Sequence, residues 1–203
     1  MSLFTQNRRF KTHLSIMRHI ELHDMDVMTN VTLLDGLCIG YRQVLGGDYD
    51  SYRNHCMRVF NFCRAFAGES PDALDKIAIA AFFHDFGIWS DHTFDYIAPS
   101  QLLARHYLET SDQVTWIDEI EAMIGEHHKL TRYCANSVWL VESFRKADLI
   151  DISGGLLRFR LPDEFVADVL DAFPNEGFHK KLGRLFIERL KTHPFSPLPM
   201  MKF

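Results

Sequence analysis

The sequence predicts an all-α fold, and three observations carry that expectation. Apolar residues recur at three- and four-residue steps along nearly the whole chain, the period of a helix that buries one stripe. Alternating apolar–polar runs, which a half-buried strand requires, are almost absent. Capping and stop residues are spaced at helix lengths. The 203 residues are 47% apolar, with 17 phenylalanines, enough bulk for a core, and no linker separates two halves. We therefore expect one helical-bundle domain over residues 1–203.

In chain order, Asp50 and Ser51 are placed to cap a helix that ends near Gly68, a glycine stop. Ser70, Pro71 and Asp72 open the next with a cap, a first-turn proline and a carboxylate at the positive dipole end. Pro99-Ser100 and Ser111-Asp112 are read as the starts of two more helices. Asn136-Ser137 precedes a helix through Asp148, which Gly154-Gly155 follow as a stop. Pro162-Asp163 begins another that Pro174 ends, and a last helix spans about 178–192. The tail from His193 is too proline-dense for helix and is expected to run extended.

Charge and cysteines narrow the function. Lys+Arg 22 against Asp+Glu 27 gives −5, without the basic footprint of a protein that binds nucleic-acid polymers. Cys38, Cys56, Cys63 and Cys134 form no C-x-x-C pair and read as free thiols of a reducing compartment. The N-terminal MSLFTQNRRFKTHL carries charge where a signal peptide needs an apolar core, and no apolar run approaches the roughly 18 residues of a membrane span. Cytoplasmic placement, no membrane partner and compatibility with a homodimer are the expectations. Phosphate-binding glycine loops, H-E-x-x-H and G-x-S-x-G are all missing from the chain.

Following each apolar stripe to its end gives the informative pattern. Tyr52, His55, Val59, Phe62 and Phe66 form one face, with His55 in the middle of a greasy row. Leu74, Ile77 and Ala81 lead to His84 and Asp85; Ile117, Ile120 and Ile124 lead to His127 and His128; Val141 and Phe144 lead to Asp148. Asp85 follows a run apolar on every face and closes its helix, so desolvation and the dipole both raise its pKa unless a cation compensates. The nearest basic residues in sequence are Lys76 and Arg105, so that cation must come from elsewhere, and a metal ion is the strongest candidate. Two imidazoles and two carboxylates make a mixed N/O set suited to Fe, Mn, Co, Ni or Zn.

The ordered set His55 … His84-Asp85 … Asp148 on successive helices resembles the HD-domain superfamily of metal-dependent phosphohydrolases. The resemblance covers about residues 50–152. It implies an all-α fold, one divalent transition metal held by His55, His84, Asp85 and Asp148, and hydrolysis of a small phosphate-containing molecule by a metal-activated water. In that scheme Asp85 also orients the water, while Arg58, His127 or His128 binds substrate phosphate. His127 lies where relatives place a histidine for either the phosphate or a second metal. Several positions depart from better-understood relatives. Ile88 and Trp89 follow Gly87 where others carry a lysine after the glycine, Ile88 also stands where others have a water-activating glutamate, and Tyr96 stands near an expected histidine. His92 and His106 are the substitutes at hand, and the expectation is a single metal. Two alternatives remain: a di-iron oxygenase of the same fold, and a non-catalytic module whose segment Phe86, Trp89, Phe94, Tyr96 lines a small-molecule cleft.

Overall fold

The computed structural model describes residues 25–201 and contains helices without a strand among them. The basic N-terminal run lies outside the described residues. The eight longer helices are α1 (Thr32–Gly40), α2 (Tyr49–Ala67), α3 (Pro71–Phe83), α4 (Ile97–Thr110), α5 (Ile117–Glu126), α6 (Val141–Ile152), α7 (Asp163–Ala172) and α8 (Phe178–Thr192). No helix among the described residues is long and apolar enough to cross a membrane.

α2 is the axis of the bundle. Tyr52, Cys56, Val59, Phe60, Phe62 and Cys63 are fully buried on different faces of it. A helix apolar on most sides is stable only when surrounded, and α2 packs chiefly on α6 and α3, with α1, α7 and α8 around the rest. α4 packs against α5, and α5 in turn against α3 and α6. The C-termini of α3 and α5 and the middle of α6 thereby surround the middle of α2.

Most boundaries follow the expected chemistry. Ser70 Oγ accepts the Ala73 N–H at 3.3 Å with Pro71 in the first turn, and Gly68 ends α2 at φ 84°. α8 keeps its expected span. Others moved for local reasons. α2 starts at Tyr49, and Ser51 Oγ donates back to the Asp48 carbonyl. Ser111 does not open a helix: its hydroxyl donates to the Tyr107 carbonyl of the helix behind it, at 2.7 Å, so it closes α4. α5 begins only at Ile117, after a 3-10 turn over Val114–Trp116. α4 starts at Ile97, before Pro99, because a proline in the first turn costs no hydrogen bond. Asn136 is spent on a local turn, its Oδ1 accepting from Val138, and α6 runs from Val141 past Asp148 to Ile152. That extension matters, because it adds Asp151 to the same helix face.

Candidate metal centre

Each helix delivers its polar residue where its apolar stripe ends. His55 comes from the middle of α2, His84 caps α3 with Asp85 next in the turn, His127 caps α5 with His128 after it, and Asp148 comes from α6. The four residues expected as ligands do converge. His55 Nε2 and His84 Nε2 are 2.9 Å apart, and Asp85 Oδ2 is 3.6 Å from each. Asp148 Oδ1 is 3.7 Å from His84 Nε2. All four residues are at most 3% exposed.

Proton positions follow from what lies behind each ring. His84 Nδ1 is 2.9 Å from the Ala81 carbonyl and His127 Nδ1 is 2.6 Å from the Ile124 carbonyl. A carbonyl only accepts, so both Nδ1 atoms carry a proton, and in the neutral rings both Nε2 atoms present lone pairs. His55 Nδ1 donates likewise to Asp151 Oδ2 at 2.6 Å. The 2.9 Å approach of His55 to His84 therefore sets two lone pairs against each other. A proton between them is disfavoured at His84, whose pKa burial pushes down to about 3. A cation among the lone pairs satisfies the arrangement, and the rings are oriented as metal-binding histidines are, by an acceptor behind each.

Of five buried side-chain atoms without a hydrogen bond among the described residues, three are Asp85 Oδ1, His127 Nε2 and Asp148 Oδ2. Unpaired buried polar atoms are costly, and here all three belong to this cluster. They extend the site beyond the expected ligands. His55, His84 and Asp85 form one triad able to hold an ion; Asp85, His127 and His128 form a second. Asp85 serves both, with Oδ2 toward the first pair and Oδ1 3.4 Å from His127 Nε2. Asp148 spans them too, its Oδ2 lying 3.5 Å from His128 Nδ1. The single-metal expectation thus meets a centre with two overlapping triads. His127, expected at either the substrate phosphate or a second metal, is fully buried and belongs to the cluster; His128 keeps 17% of its side chain exposed.

The carboxylates divide the charge. Burial alone raises Asp85, as expected, but His84, His127 and His55 supply the compensating positive charge and hold the acid below its ordinary range. Asp148 goes the other way, pushed up to about 6 by burial and, among its neighbours, by Asp85. His127 is lowered by burial yet raised overall, because Asp85 and Asp148 favour its cation.

Arg58 does not reach the centre. It is 1% exposed, its Nε and Nη2 bind both oxygens of Asp151, and its Nη1 donates to the Phe173 carbonyl at 2.9 Å. Every donor pair is spent on the fold, so the substrate-phosphate role is withdrawn. Asp151 was missed by sequence reasoning, although it follows Asp148 by one turn on the same face. Phe178 stacks on His55 with ring centroids 4.0 Å apart. His92 and His106 are exposed and contribute nothing. Tyr96 is buried beside the centre, with its hydroxyl 2.6 Å from His128 Nε2. Its placement depends on Gly87 of the HDFG turn. A Cβ there would sit 2.5 Å from the Tyr96 carbonyl, and the Gly87 N–H donates to Ser100 Oγ.

A cavity of about 470 Å³ opens beside His128, Tyr96 and His179. Of the aromatic segment considered for a cleft, Phe94 and Tyr96 line it, while Phe86 and Trp89 lie in the core. Comparison of the chain with models of known families, with curated proteins and with solved structures finds no match.

Proposed function

We propose that this chain is a metal-dependent hydrolase of a small phosphate ester, built on an HD-type centre. The observation that carries the reading is the pair of inward Nε2 lone pairs at His55 and His84, closed by carboxylate oxygens that lack partners. His55, His84 and Asp85, with Asp148 beside them, would hold one ion; His127 and His128 with Asp85 would hold a second. When bound, such an ion supplies Lewis acidity and lowers the pKa of a coordinated water from 15.7 to roughly 7. Asp85 Oδ1 makes no hydrogen bond within the protein, so it can accept one from the attacking water and orient it. His128 and Tyr96 stand between the ligand cluster and the cavity, where they meet the oxygen of the substrate's head group. The free thiols favour a reducing compartment such as the cytoplasm.

The test is a screen of phosphomonoesters and nucleotides with Mn, Fe, Co, Ni and Zn, alongside metal analysis. Turnover abolished in His84→Ala together with metal binding supports the reading. Metal that binds with no ester hydrolysed overturns it. A second reading, a di-iron oxygenase, is favoured by the carboxylate shared between two triads. Two irons per chain and oxygen uptake without ester hydrolysis select that reading.

A further inference from the structure

We propose that the substrate of this centre is an amphiphile, with an oxyanionic head group at the metal ligands and an uncharged apolar body in the adjoining cavity. The inference rests on the metal reading above and narrows it. At about 470 Å³ the cavity is in the ~300–1,000 Å³ range of small-molecule sites. Its walls are apolar, from Leu149 of α6, Leu182 and Phe186 of α8, and Met200. Among the described residues no Lys, Arg, Asp or Glu lines it, and the polar side chains that do are Tyr96, His128 and His179.

Those three all touch the centre or its supports. His128 Nδ1 is 3.5 Å from Asp148, Tyr96 bonds His128, and His179 Nε2 is 3.5 Å from Asp151. The cavity's polar side chains therefore all stand on the side that adjoins the ligand cluster, with His128 the cluster member that lines it. α6 makes the junction: Asp148 and Asp151 face the histidines, while the next residues, Leu149 and Ile152, face the cavity. A nucleotide fits this shape poorly. Its base and ribose would lie against the apolar side chains beyond Tyr96, His128 and His179, and burying unpaired polar groups there costs more than the apolar contact returns. An alkyl or aryl body loses nothing there and gains from every methylene buried.

The experiment is calorimetric titration of the metal-loaded protein with n-octylphosphonate, methylphosphonate and AMP. Each buried methylene is worth a factor of roughly four, so burial of half the octyl chain gives on the order of 100-fold tighter binding than methylphosphonate. Gly183 of α8 lines the cavity, and a Cβ there meets nothing within 4 Å. Gly183→Leu is expected to fill the space and erase the octyl preference with metal content unchanged, whereas Gly183→Ala retains it. Equal affinity for the three probes, or an octyl preference that survives Gly183→Leu, overturns the proposal. Turnover is not read here, so a loaded protein that hydrolyses no ester sinks the hydrolase reading while chain-length preference is judged independently.

Discussion

Asp151 accepts the Nδ1–H of His55 at 2.6 Å and, with the same carboxylate, neutralises Arg58. One residue thus orients a ligand and supports the joint between α2, α6 and the start of α8, which His179 joins from its first turn. His179, His55 and Arg58 hold its carboxyl well below the usual range against the opposing effect of burial.

This makes Asp151 and Arg58 separable by what they lose. Asp151→Asn keeps the shape but removes the charge behind His55, and is expected to weaken metal binding about 10- to 100-fold. Arg58→Ala leaves Asp151 buried without its counter-ion and should destabilise the fold by about 3–5 kcal/mol. Isothermal metal titration reads the first and urea unfolding the second. An Arg58→Ala protein of unchanged stability that raises KM alone would restore a substrate role to Arg58.

The shared carboxylate sets a stoichiometry. Wild type is expected to bind two divalent ions per chain and His127→Ala one, because His127 ligates only the second triad. Metal at 100 times its dissociation constant stabilises by about 2.7 kcal/mol, and chelation should reverse it, a change in Tm of roughly 5–10 °C for a chain this size. Plasma emission spectrometry with thermal melts decides it. A ratio of one in both proteins removes the second triad from the account.

The thiols give a pH dependence away from the centre. Burial pushes Cys38 up to about 12 and raises Cys56 and Cys63 as well, while Cys134 is exposed. A folded pKa above the unfolded value of 9.0 means the neutral thiol is favoured by folding. That stability is complete below pH 9 and is lost as pH rises toward 12. Iodoacetamide at pH 8.5 should modify Cys134 alone in native protein and all four thiols in urea, as read by mass spectrometry. Rapid native labelling of Cys38 would show that α1 opens.

Which parts were legible follows from the range of the interactions. The His55, His84-Asp85 and Asp148 set could be read because each lies where an apolar stripe meets a polar residue, a signal internal to one helix. Arg58 was misassigned because its partner lies 93 residues away on α6, and nothing local to α2 distinguishes a solvated arginine from one buried on a carboxylate. Asp151 escaped because the helix was expected to stop at Asp148; its extension to Ile152 depends on where Gly154 and Gly155 turn, at φ 60° and 79°. Choosing between a phosphate and a second metal for His127 required knowing that the ends of α3 and α5 meet.

Gly87 offers the sharpest test of how the turn after Asp85 holds the site. Its missing side chain lets the Tyr96 carbonyl approach to a distance no Cβ tolerates, and its N–H fixes Ser100. Gly87→Ala must push the Tyr96 backbone away, at about 1–3 kcal/mol of strain. The hydroxyl that meets His128 moves with it. Metal content at the His55–His84 pair should persist, since neither ring touches residue 87, while affinity at the second triad falls. Competitive titration with a zinc indicator, resolved into two steps, would show the second step weakened and the first kept. Equal loss of both steps would mean that the turn positions Asp85 rather than Tyr96.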